Sequence, residues 1–70
     1  MTDTKNVIKG IGTVTEALPG TLFRVKLPEN EVLGYLAGKM RMHKIKVLVG
    51  DRVEVEQSPY GGKVRIVKRF

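Results

Sequence analysis

Thirteen consecutive residues, Gly38 to Gly50 (GKMRMHKIKVLVG), carry Lys39, Arg41, Lys44 and Lys46 and not one acid. Cationic side chains spaced two or three residues apart, with no carboxylate among them, suit holding a polyanion through its phosphates. Covalent and acid–base chemistry have much less to work with. His43 is the one histidine, and cysteine is absent. No serine stands near a base and an orienting acid, and the pieces Gly10–Gly12 and Gly61-Gly62 have the wrong spacing for a phosphate-cradling loop. Glu54 and Glu56 alternate along a predicted strand and read as outward surface, not as an acid–base pair. His43 beside Lys44 reads as a surface or partly packed residue, not as a metal ligand. The expectation is a protein with no enzymatic activity, no cofactor and no metal.

The charge of the whole chain supports an anionic partner, and its distribution supports it more. The formal net charge is +6. Residues 1–37 balance four bases (Lys5, Lys9, Arg24, Lys26) against four acids (Asp3, Glu16, Glu29, Glu31). Residues 38–70 set nine bases against Asp51, Glu54 and Glu56, so the second half carries the whole excess. The plainer reading is a solvated surface that keeps a small protein soluble, but solubility does not require this segregation. The absence of cysteine removes disulfides and fits a reducing compartment. MTDTKNVIKG has no apolar stretch, so neither signal peptide nor anchor is expected there. No run approaches the roughly 18 apolar residues of a membrane span. A soluble, cytoplasmic protein is expected.

The elements that must position these cations are strands. Residues 1–6 are expected to form a flexible tail and residues 7–70 a single domain. Val7–Leu18 is strand-like, and Gly10 and Gly12 inside it predict a bulge or a sharp bend, as at a barrel corner. Pro19-Gly20 is a turn. Thr21–Leu27 alternates strictly, with Phe23, Val25 and Leu27 inward and Arg24 and Lys26 outward. Pro28–Asn30 breaks the run, and Val32–Ala37 resumes it, with Leu33 and Tyr35 facing away from Val32, Gly34 and Leu36. Met40, His43 and Val47 recur at spacings of three and four, which predicts a short helix after Gly38 with one apolar stripe. Ile45–Leu48 should return to extended form before a Gly50-Asp51 turn. Arg52–Gln57 buries Val53 and Val55, Ser58–Gly62 is a loop, and Lys63–Arg69 buries Val64 and Ile66.

Five strands with a short helix between the third and fourth predict an all-β chain folded as a five-stranded OB barrel. A closed barrel also removes the exposed edges that a small sheet cannot cover. An SH3-like barrel shares the strand count but not the helical insertion. OB barrels bind single-stranded or irregular RNA on the face of strands 2 and 3 and on the bordering loops. Arg24, Lys26 and Tyr35 lie there, beside Lys39, Arg41, Lys44 and Lys46, with Tyr60 in the last loop and Lys63, Arg65 and Arg69 beyond it. Two tyrosines are a sparse supply of rings for stacking, so phosphate contacts and shape are expected to dominate over base sequence.

At GKMRMHKIKVLVGDRVEV the sequence resembles bacterial-type translation initiation factor one, of the S1-like OB-fold family. The resemblance extends through GTV at Gly12–Val14, LPGTLFRVKL at Leu18–Leu27, AGKMR at Ala37–Arg41, GDRVEVE at Gly50–Glu56, SPY at Ser58–Tyr60 and RIVKR at Arg65–Arg69. It implies binding to the small ribosomal subunit at the decoding (A) site, against rRNA and an adjacent ribosomal protein. It also implies blocking of premature tRNA access and assistance to the other initiation factors, by a protein monomeric off the ribosome. Lys39, Arg41, Lys46 and Arg65 take the family's rRNA-contacting positions, with Tyr60 beside them and Arg24 a further candidate. Lys44 stands where the family commonly has a tyrosine, and Tyr35 where histidine is common. The last loop is about one residue shorter than usual, with Val64 in place of a glycine and Lys68 in place of an aromatic. The alternatives are a general single-stranded RNA-binding OB protein, such as an RNA chaperone, and a structural or protein-interaction barrel of the ribosome.

Overall fold

Alternating valines and isoleucines among polar residues suit a pleated surface with one buried face, because β-branched side chains pack well there. In the computed structural model, which describes residues 8–58 and 61–70, this pattern becomes five strands. They are β1 (Ile8–Leu18), β2 (Leu22–Lys26), β3 (Glu31–Leu36), β4 (Arg52–Gln57) and β5 (Val64–Arg69), with the helix α1 (Gly38–Met42) between β3 and β4. The expected tail at 1–6, the strand start at Val7 and the loop residue Tyr60 lie outside the described residues.

The strands close into a barrel in the order β1-β2-β3-β5-β4, with β4 pairing back onto β1. Every pairing is antiparallel except β3 with β5, which run parallel through Gly34↔Val64, Tyr35↔Arg65 and Leu36↔Ile66. This is the OB barrel that the alternation predicts. Its core is built from Val14, Val25, Val53, Val55, Val64 and Ile66, with Leu27, Met40 and Val47 contributed from outside the strands. Phe23, Val32 and Leu36 pack against that core while only partly buried.

β1 serves two neighbours. Its first half, Ile8–Thr13, pairs with β4, and Thr13–Leu18 pairs with β2, so Thr13 sits across from both Arg52 and Lys26. The glycines act differently from the expected bulge. The register of β1 against β4 runs unbroken through Gly10 and Gly12, and the irregularity lies later, between Val14 and Glu16, against β2. Gly12 instead permits close approach. A Cβ there would lie 2.6 Å from the Lys26 carbonyl oxygen and 2.8 Å from side-chain carbons of both Leu27 and Val25. The glycine that the sequence marks is required, and the reason is crowding by the neighbouring backbone.

Five residues are too few for a helix to stand alone, and α1 has no side-chain cap and no acid in its first turn. Two contacts hold it. Met40, 2% exposed, plugs the barrel end, and Ala37 N–H donates to the Ile66 carbonyl at 2.9 Å, which carries the β3–β5 ladder up to the helix start. Its C-terminus closes as a Schellman motif, with Ile45 N–H donating to Met40 O at 3.0 Å and Lys44 N–H to Arg41 O at 3.1 Å. That closure places Lys44 in the left-handed region, at φ 53. It also turns His43 outward. The predicted stripe is therefore two residues long, Met40 and Val47, with His43 exposed. Ile45–Leu48 joins no strand, and Thr21, expected to open β2, belongs to the preceding turn at φ 59.

The segment that follows is tied down by Asp51. Its Oδ2 accepts from Leu48 N–H at 2.8 Å, while its own N–H donates to Leu48 O at 3.0 Å. Val14 brackets the same turn, accepting from Gly50 N–H at 2.8 Å and donating to Asp51 O at 2.9 Å.

The crowding at Gly12 and the strain at Lys44 can both be measured. Gly12→Ala is expected to cost roughly 1–3 kcal/mol or more, because a backbone oxygen cannot swing away as a side chain can. Gly10→Ala, whose Cβ would meet its nearest neighbour, Leu27, at 3.8 Å, is expected to be neutral or slightly stabilising. Urea melts of the two variants check the contrast. Lys44→Gly should relieve the left-handed strain and add about 0.5–1 kcal/mol, a rise in Tm of roughly 2–8 °C for a chain this size. Lys44→Ala keeps the strain and should show no such gain.

Candidate nucleic-acid interface

The cations singled out in the sequence fall into two groups, distinguished by whether the fold itself neutralises them. The first group lies on the outer face of the sheet. Arg65 on β5 sits between Tyr35 on β3 and Glu56 on β4 in the strand register, so the three side chains form one row. Arg65 Nη2 donates to Glu56 Oε1 at 2.7 Å. That hydrogen bond and the Glu56 charge hold the guanidinium pKa above its ordinary value, with a smaller contribution from Tyr35. Arg24 on β2 faces Glu16 on β1, its Nε donating to Glu16 Oε1 at 3.1 Å. Both arginines are about half exposed, 50% for Arg65 and 41% for Arg24. Such solvated pairs contribute about 0–1 kcal/mol to folding, so their effect is on charge more than on stability. Tyr35 is half-buried and, with Glu56, Gln57, Ser58, Lys63 and Arg65, lines a cleft of about 150 Å³.

The second group is on α1 and the segment after it. Lys39 and Arg41 project from α1, and Lys44 and Lys46 from the turn and coil beyond; all four are exposed. Among the described residues, none of the four joins an ion pair, whereas Arg24, Arg65 and Arg69 each do. Arg41 makes one long hydrogen bond, from Nε to the Leu36 carbonyl at 3.4 Å, which fixes its direction without neutralising it. Lys39 and Arg41 also occupy the last turn of the helix, where the dipole favours cations. Exposed apolar residues accompany these charges, Met42 at 74% between them and Leu48 at 62% and Val49 at 60% just after them.

β5 closes the other side of this group. Arg69 Nη1 donates to the Lys46 carbonyl at 2.9 Å, and its Nε lies 4.0 Å from Asp51 Oδ2. A cleft of about 480 Å³ opens between the two segments, with Met40, Ile45 and Val67 as apolar walls and His43, Lys44, Lys46, Lys68 and Arg69 as polar ones. Lys68 also lies 5.3 Å from the Phe70 ring centroid. A cationic rim over an apolar floor suits a ligand with both phosphates and flat bases.

The structure therefore brings Tyr35 together with Arg65, and Lys44 with Lys46, while Arg24 stands in its own pair with Glu16. Tyr60 lies outside the described residues. Sequence reasoning missed Lys68 as a wall of the cleft, though it included Arg69 among the candidate cations, and it missed Glu16 and Glu56 as partners of the arginines. The Glu16–Arg24 pair had a readable signal, since positions 16 and 24 are equidistant from Gly20 in a hairpin turning there. The Tyr35–Arg65 neighbourhood had none, because it exists only once the barrel closes. Among the described residues no helix is long and apolar enough to cross a membrane, and no group of three or more His, Asp or Glu side chains is arranged to hold a metal.

Comparison with known proteins bears on what this cationic barrel is. The family profile described as translation initiation factor 1A / IF-1 matches residues 2–70. The solution structure of translation initiation factor one from the Wolbachia endosymbiont of Brugia malayi superposes with a TM-score of 0.79 at 39% identity, over 97% of this chain and 83% of that one. The crystal structure of YjeQ from Thermotoga maritima is similar over 90% of this chain, at 28% identity and a TM-score of 0.73, but only 23% of that longer chain takes part. With a profile match over almost its whole length and a barrel shared with a solved member, the chain belongs to the translation initiation factor 1A / IF-1 family.

Proposed function

We propose that this translation initiation factor binds the small ribosomal subunit at the decoding (A) site and contacts rRNA with its basic segment. There it blocks premature tRNA access and assists the other initiation factors. The observation that carries this reading is the set of four exposed cations, Lys39, Arg41, Lys44 and Lys46, which join no ion pair among the described residues and are held on a short, tied-down segment of the barrel. Cations fixed in place read the phosphate geometry of a folded RNA, where flexible ones would read only charge density. Tyr35, Arg24 and Arg65 complete the contact from the sheet face, with Tyr60 and an adjacent ribosomal protein beyond them. The work is steric and conformational, with no bond made or broken, and it is done in the cytoplasm by a monomer that leaves when the subunits join.

Chemical footprinting of small-subunit rRNA with and without the protein tests the location. Protection confined to the decoding region is expected, and protection elsewhere would contradict the reading. Sedimentation separates a factor from a permanent ribosomal component, because a factor should accompany free small subunits and be absent from full ribosomes.

Arg41→Ala and Lys46→Ala should each lower small-subunit affinity about fivefold near 0.1 M salt, and each should flatten the log–log salt dependence by roughly 0.7–0.9. Tm should stay within roughly 4 °C of the parent, as expected for surface substitutions. A large fall in Tm with unchanged binding would assign the basic segment a structural role instead.

A further inference from the structure

We propose that Glu16 and Glu56 are specificity-determining residues, whose in-chain ion pairs with Arg24 and Arg65 keep the sheet face from binding generic single-stranded polyanions. The inference rests on the proposed RNA-binding role and adds a discrimination to it.

The starting point is an unequal use of carboxylates. Glu29, in the turn between β2 and β3, joins no ion pair among the described residues. Glu31 and Glu54 stand across the strands from Lys26 and Lys68, yet neither comes within ion-pair distance. Glu16 and Glu56 differ from these. Each meets an arginine of the candidate interface at hydrogen-bond distance, 3.1 Å and 2.7 Å. Asp51 also pairs with an arginine of the sheet, but it lies 4.0 Å from Arg69 at the far end of β5, beside the basic segment. The two carboxylates at hydrogen-bond distance meet Arg24 and Arg65, the arginines that a ligand on β2, β3 and the start of β5 would meet.

Pairing removes charge without removing hydrogen-bonding capacity. A guanidinium has five N–H donors. With one or two given to a carboxylate, the rest remain for a phosphate or base edge that arrives in the right place. What the pair withholds is net charge, and net charge drives the counterion release behind non-specific binding. An OB barrel that binds single strands generally needs a cationic groove and stacking rings on strands 2 and 3. Here the outward residues of β2 and β3 are Leu22, Arg24, Lys26, Glu31, Leu33 and Tyr35. They offer a single ring, flanked by arginines already neutralised. A flexible strand gains little from such a face, whereas a folded RNA first held by Lys39, Arg41, Lys44 and Lys46 can still use its remaining donors.

The test compares Glu16→Gln, Glu56→Gln and Glu29→Gln with the parent, using oligouridine RNA and purified small ribosomal subunits across a salt series. Glutamine keeps the size and an acceptor oxygen but removes the charge. Glu16→Gln and Glu56→Gln are each expected to bind oligouridine about fivefold tighter near 0.1 M salt, with a log–log slope steeper by roughly 0.7. Small-subunit affinity should not fall, so the ratio favouring the subunit narrows. Glu29→Gln makes the same change in net charge and should leave oligouridine binding at the parent level. Two results overturn the inference: parental oligouridine affinity and slope in both Glu16→Gln and Glu56→Gln, or an equal rise in Glu29→Gln, which would mean net charge alone. The two pairs lie on different strand pairings, so if one variant fails to fold by circular dichroism, the other carries the test. Parent protein that does not bind small subunits at all would defeat the functional reading, while the oligouridine comparison would still decide the discrimination.

Discussion

The backbone of β1 has to pass so close to the end of β2 that no side chain fits between them, and the rest of the barrel depends on that approach. At Gly12 the space a Cβ needs is already taken by the Lys26 carbonyl oxygen and by carbons of Val25 and Leu27. Next to this point β1 exchanges one partner for another, β4 for β2. One strand can thereby belong to both walls, and five short strands suffice to close a sheet around so small a core. In a chain of 70 residues a second layer is not available. Closure is what leaves the outer face free for polar residues, since most of the strand valines and isoleucines are consumed inside.

Charge is then divided by position. Two arginines on the strands, Arg24 and Arg65, meet cross-strand carboxylates, because the register brings Glu16 to Arg24 and Glu56 to Arg65. Among the described residues, the cations on α1 and the following segment lie beyond any strand and meet none. The same sequence thus produces a face of neutral pairs and a segment of net positive charge. The segment is not loose. A buried methionine, the Schellman closure at Lys44 and the Asp51 turn fix it at successive points. Each contact is modest, about 1 kcal/mol for a hydrogen bond, but the fixed points lie only a few residues apart. Little rotational freedom is left for binding to remove.

Much of this was legible in the sequence, and the exceptions share a cause. Period-two alternation located β2 to β5, apolar residues scattered among threonines located β1, and the break at Gly38 located the helix. Ends differed by a residue or so: Thr21 went to a turn, Ala37 became the helix N-cap and Lys63 preceded β5, as is usual at element boundaries. The basic segment was legible as charge. What was not legible depended on non-local geometry. Gly10 and Gly12 suggested a bulge, but only the path of β2 shows that crowding is the reason for Gly12. His43 matched a helical stripe that the helix was too short to complete. Arg24 and Arg65 looked like free cations because their carboxylate partners sit eight and nine residues away along the chain.

The parallel pairing of β3 with β5 has a kinetic side. Its partners, such as Gly34 and Val64, are separated by a long stretch of chain that includes α1 and all of β4. Until β5 docks, β3 and β4 each present an unpaired edge, and edges of this kind template association with other chains. A single event, the insertion of Val64–Arg69 between them, removes both edges together. Loop closure has to be completed before that contact is rewarded. Any arrangement in which β5 is undocked leaves those two edges open together, so the seating of this one strand protects both at once.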